Sequence, residues 1–168
     1  MKKIILKHEI NCSEGQFWKV FFDKKFNTAL FLEGLGFPEF EILEQTETDG
    51  NVKRRVRGKP KMDVPKPVAK VLGDSFGYEE EGKYDATSKI WTWEMIPNTL
   101  KGKLRNEGKL TVEAIDDNKC RRVAELTVEA KVFGVGGLLE KTTETEMRNG
   151  WDKSAVFMNR WLKDNPPE

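Results

Sequence analysis

A single histidine, His8, and two cysteines, Cys12 and Cys120, are all that the chain offers of the side chains that most often bind metals or attack carbonyls. The cysteines lack any CxxC spacing, and one histidine cannot complete a Cys/His ligand set, so zinc sites of that kind are excluded. A Ser-His-Asp arrangement can be built only around His8, and GxSxG is absent. An excess of charge is missing too. The 29 Lys and Arg residues nearly cancel 28 Asp and Glu, so no long-range field marks the chain for nucleic acid. The apolar run Ile4-Ile5-Leu6 stops at Lys7, far short of a signal-peptide core or a spanning helix. From these absences we expect a cytoplasmic protein with a small or neutral partner, no metal, no cofactor and free thiols.

What is present is patterned. The 168 residues fit one domain, 1–168, around one core. In IILKHEI, Ile4, Leu6, His8 and Ile10 share one parity, which predicts a half-buried strand over about residues 3–11. Ser13 stands three residues before Gln16, a capping-box spacing, and Phe17, Trp18, Val20 and Phe21 follow at helical intervals. FNTALFLEGLG predicts a second short helix, stopped by Gly34 or Gly36 ahead of Pro38. Asp49-Gly50-Asn51 between alternating segments predicts a hairpin of strands two and three. Residues 59–75 form a long excursion with one helical turn at Pro67 to Leu72. Four more strands follow as a meander: FGYEEEGKY, KIWTWEM, KLTVEAI and CRRVAELTVEAKVF. The last places Ala124, Leu126, Val128, Ala130 and Val132 on one face, so one face of the sheet is covered and the other is wet. Beyond it the period changes to about 3.6, predicting a helix over about 137–163 ended by Pro166-Pro167. At 1.5 Å per residue that helix is about 40 Å long.

The glycines of KVFGVGGLLEK invite comparison with a phosphate loop. Neither GxxxxGK[ST] nor GxGxxG is met, so they are assigned to a strand-to-helix corner. Strand, two helices, six strands and a long helix make an α+β chain whose seven-stranded antiparallel sheet must curl around that helix to bury its apolar face.

This order resembles the helix-grip fold of the START-like (SRPBCC, Bet v 1-like) superfamily. The segments VPKPVAKVLGD, YEEEGKYD, WTWEMIPNTLKGK and CRRVAELTVEAKVFGVGGLLEK resemble a bacterial START-like family of undefined function. The resemblance implies that the first and last strands are antiparallel neighbours, which brings Cys12 near Cys120 without a disulfide. It also implies an interior between sheet and helix that is either filled or open to a ligand.

Inward strand parity nominates the lining. Arg54 and Val56 come from the third strand and Phe76 and Tyr78 from the fourth. Trp91, Trp93 and Met95 come from the fifth, and Leu110 and Val112 from the sixth. Met147, Trp151, Ala155 and Met158 face them from the final helix, and His8 points inward from the first strand. Of Glu79-Glu80-Glu81 only Glu80 shares the inward parity, and the three are assigned mainly to a solvated edge. In the 59–75 excursion Val68, Val71 and Leu72 are nominated as a gate, with its lysines wet or against anionic lipid.

The leading functional expectation is binding or transport of a small hydrophobic molecule, a lipid among the candidates, with transient membrane-surface contact. A cyclase or aromatase-type enzyme using His8, Arg54 or Tyr78, and a co-chaperone-like interaction module, are the alternatives.

Overall fold

The computed structural model describes residues 1–166. Its elements are β1 (Lys2–Ile10), α1 (Glu14–Phe21), α2 (Lys24–Ala29), a π-turn (Leu30–Gly34), β2 (Glu39–Thr48) and β3 (Asn51–Lys59). After these come α3 (Lys66–Leu72), β4 (Tyr78–Asp85), β5 (Ile90–Pro97), β6 (Leu104–Asp116), β7 (Lys119–Ala130) and α4 (Gly136–Asp164). The seven strands form one antiparallel sheet in the order β1-β7-β6-β5-β4-β3-β2. This is the expected helix-grip arrangement, with a long C-terminal helix over the sheet and short helices between β1 and β2.

Local chemistry sets the boundaries. Ser13 caps α1 through a complete capping box with Gln16. Asp49 and Gly50 both take positive φ, 54° and 83°, as a two-residue primed turn requires. The second helix is shorter than its pattern predicts. It ends as α-helix at Ala29 and continues as a π-turn, which Leu35 N–H closes by donating to Leu30 O at 2.8 Å. β7 stops at Ala130, short of the predicted Val132. Gly134 turns the chain with φ 79°, and a side chain at Gly136 would meet Ala130 O at 2.6 Å. The glycines are thus a corner. Pro167 lies outside the described residues.

The inward face divides into two hydrophobic clusters. The larger joins β1, β5, β6, β7, α1 and α2 to the C-terminal half of α4 through Ile4, Trp91, Leu110, Leu126, Phe157 and Met158. The smaller joins Val68 and Leu72 of α3 to Phe76 and to Leu139 in the first turns of α4. Ile10 pairs with Cys120 and places Cys12 beside it; both thiols are buried and free. The hydrogen bond with Cys12, and then burial, push the Cys120 thiol well above its usual range.

Candidate functional site

The interior is built from strand parity. Across β3, β4 and β5 the inward positions pair as Val56 with Glu80 and Glu80 with Met95. One step along, Arg54 pairs with Gly82 and Gly82 with Trp93. Glycine is required in that second row. A Cβ at Gly82 would overlap the Trp91 indole, and one at Gly108 would lie 2.6 Å from Trp93. The two indoles therefore lie flat on the sheet floor, where any larger residue would displace them.

Arg54 lies on this floor. Its guanidinium stacks over Phe21 and over Trp91, each 4.8 Å from the ring centroid, and Nη1 donates to Phe21 O at 3.0 Å. Burial lowers its pKa to about 10, against the opposing pull of Glu80. Glu80 is pushed up to about 6, first by burial, with Arg54 acting the other way. The Tyr78 hydroxyl is raised by burial and then by Glu80.

Desolvation thus dominates both Tyr78 and Glu80, yet both side chains are only half-buried, and neither hydrogen-bonds to another described residue. Tyr78 packs at the edge of the smaller cluster, and Glu80 belongs to neither cluster. Toward α4, Asn106 Nδ2 reaches Met147 Sδ at 3.7 Å, Asn106 Oδ1 is buried without a partner, and Trp93 packs on Trp151 with centroids 5.8 Å apart.

A second polar cluster ties the sheet to α4. His8 Nε2 is 2.7 Å from Asp152 Oδ1, and Arg122 Nη2 donates to His8 Nδ1 at 3.1 Å. Arg122 also donates to Ser154 Oγ at 2.9 Å and to Trp151 O at 2.9 Å, and stacks over the Trp151 ring at 4.7 Å. Burial lowers the Arg122 pKa to about 9. Arginine only donates, so His8 Nδ1 accepts and Nε2 carries the proton toward Asp152. The serine hydroxyl is oriented by Arg122 and Trp151 O, not by histidine. Among the described residues no nucleophile hydrogen-bonds to His8, and the cluster works as a seam.

The nominated residues therefore separate. Trp93 is packed into the larger cluster with Met147 and Trp151 against it, Tyr78 packs against the smaller one, Val56 and Arg54 are buried, and Met95 is half-buried. Trp91, Leu110, Ala155 and Met158 are packed into the larger cluster, with Val112 against its edge. Phe76 belongs to the smaller cluster with Val68 and Leu72, while Val71 is half-buried. His8 belongs to the seam. Two open concavities, about 630 Å³ and about 340 Å³, lie elsewhere. The first is on the outer face of the sheet among Lys83, Glu94, Lys109 and Glu125. The second is between Gly34 and the C-terminal half of α4 at Asp152 and Phe157. Glu80, Asn106 and Arg122 were not among the nominated residues. Each has the inward parity of its strand, which was the available signal; their charge or polarity argued the other way.

The family model described as Protein of unknown function (DUF2505) matches residues 6–162. The chain belongs to this family. No curated protein matches it. Among solved structures, TTHA0849 from Thermus thermophilus is 15% identical with a TM-score of 0.70, over 99% of this chain and 100% of that one. The Zhui aromatase/cyclase from Streptomyces is 10% identical with a TM-score of 0.64, over 96% of this chain and 93% of that one. Norcoclaurine synthase from Thalictrum flavum, solved with dopamine and hydroxybenzaldehyde, is 15% identical with a TM-score of 0.65, over 99% of this chain and 89% of that one. At these identities the likeness establishes the START-like fold of this DUF2505 chain, and one fold hosts many chemistries.

Proposed function

We propose that the chain binds a small, mostly apolar molecule carrying a polar group between the sheet and α4. The observation that carries this is the pair Tyr78 and Glu80, half-buried on the inward face with no hydrogen-bond partner among the described residues, Tyr78 at the edge of the smaller hydrophobic cluster. A ligand there can pair with the hydroxyl and carboxyl while covering apolar side chains. Val56, Trp93, Met95 and Met147 take the apolar body, Tyr78, Glu80 and Arg54 take the polar end, and α3 is the gate. A lipid-like carrier function in the cytoplasm is the fullest form of this reading. It is supported by two fold neighbours, an aromatase/cyclase and a synthase solved with two small aromatic molecules.

Native mass spectrometry of protein purified from its own cells should show one bound molecule per chain, weakened in Glu80→Gln and Tyr78→Phe. Wild-type protein that carries nothing and takes up neither a fluorescent fatty acid nor a sterol probe would sink the reading.

A second reading is favoured by one observation. With its pKa at about 6, Glu80 is placed to take and return a proton near neutral pH. A cyclase-type enzyme would use Glu80 as the base and the Tyr78 hydroxyl to hold the substrate oxygen. Turnover would then fall below about pH 6, and Glu80→Gln would keep binding but lose turnover.

A further inference from the structure

One end of the molecule joins an exposed aromatic to a concentration of positive charge that the whole chain, at net +1, does not have. Phe133, at the corner between β7 and α4, is 105% exposed, and Leu138 beyond the corner is 39% exposed. Nothing in the core holds Phe133. The corner is bonded to the β5–β6 turn, where Lys131 N–H donates to Lys103 O at 2.8 Å. It meets α3 as well, because Leu139 packs with Val68 and Leu72, and Leu100 packs against the same cluster.

Around this end stand Lys61, Lys66, Lys70, Lys101, Lys103 and Lys131, all exposed, against the exposed carboxylates Asp63 and Asp74. Among the described residues only Lys131 of the six is in an ion pair, with Glu129 at 3.4 Å. The start of α4 adds to the field. It has no side-chain cap and no acidic residue in its first turn, and the N–H groups of Gly137 and Leu138 have no hydrogen-bond partner there. Gly137, with nothing within 4 Å of where its Cβ would stand, lets an anionic group approach the backbone closely.

We infer that this end docks on an anionic membrane surface, with Phe133 entering the headgroup region and the lysines meeting lipid phosphates and carboxylates. A fully exposed phenylalanine among exposed lysines fits a bilayer boundary, which offers apolar chains and negative charge within one side chain's reach. A nucleic acid would use the lysines and leave Phe133 in water. Docking places α3 against the membrane. It stands on the corner's own geometry, whether or not the interior takes a ligand.

The test is co-sedimentation with vesicles of phosphatidylcholine alone and of phosphatidylcholine with phosphatidylserine, at low and high salt. Wild-type protein should bind only the mixed vesicles and release at high salt. Phe133→Ser should lower the partition coefficient about tenfold, and Lys101→Gln and Lys131→Gln about fivefold each. Lys25→Gln, in α2 at the other end of the molecule, should change nothing. All these positions are exposed, so the variants fold, and unchanged melting verifies it. Equal binding to neutral vesicles, no binding to either, loss with Lys25→Gln as large as with Lys131→Gln, or Phe133-dependent self-association without vesicle binding would each overturn the assignment.

Discussion

Glu80 has its pKa moved toward the neutral range by its environment. Its pKa rises from 4.5 to about 6 in the folded chain, chiefly through burial. The folded state therefore holds this proton more tightly than the unfolded state. The stabilisation is fully present below about pH 4.5 and is lost as pH rises through about 6, amounting to about 2 kcal/mol. Thermal melts across that window should show wild-type protein losing stability with rising pH on this account. Glu80→Gln should flatten the slope and melt higher at neutral pH; an unchanged slope would place the carboxylate in bulk water. Gly82 makes the complementary steric case. Gly82→Ala forces a methyl into the Trp91 indole, and such overpacking costs about 1–3 kcal/mol. A lowered melting temperature with altered tryptophan fluorescence is expected, whereas Gly137→Ala, with nothing near its Cβ, should be mild by comparison.

Among the elements, α3 is the one attached by least. It is seven residues long, begins after Pro65 without a side-chain cap, and holds on through Val68 and Leu72. Short helices take their stability from tertiary packing. Native-state hydrogen exchange should therefore find α3 amides opening at lower free energy than those of β6 and β7, which pair along most of their length. Equal protection would argue against a gate. Replacing Val68, Val71 and Leu72 together with serine is a poor test, since Val68 is 1% exposed and Leu72 8%. Val71→Ser, at the half-buried position, is the variant that separates uptake rate from stability.

At the scale of the whole molecule, β1 pairs with β7 at the sheet edge, beside the seam that ties both strands to α4. Cys12 and Cys120 lie at the end of that pairing, at 2% and 0% exposure. A thiol reagent should label neither in the native protein and both on unfolding, at a rate that follows global opening. Fast labelling of one thiol under native conditions would show that the β1 edge frays by itself. Much of this architecture was legible from residue order. Alternation and turn chemistry place all seven strands, because a covered face imposes a period of two and Asp49-Gly50 permits the positive φ that a tight hairpin needs. The capping box and the helical stripe through Leu139, Ser154, Ala155, Met158 and Leu162 likewise locate α1 and α4.

Parity also shows which side chains face inward, but not which of them pack. Trp91 and Trp93 share one face of one strand and one cluster, yet Trp91 packs under Arg54 while Trp93 reaches Trp151 on α4. That division depends on where α4 and the α1–α2 pair settle, a matter of contacts between residues distant in the chain. The same holds for Glu80. Its local neighbours Glu79 and Glu81 read as a solvated run, and only the assembled surroundings, with β3 and β5 on either side, remove enough water to raise its pKa. The order and period of the elements are local consequences of backbone and side-chain chemistry, carried by the sequence itself. Whether an inward polar group is paired, buried or left facing space is decided only when the sheet closes on its helix, because desolvation and packing are properties of the assembled surroundings.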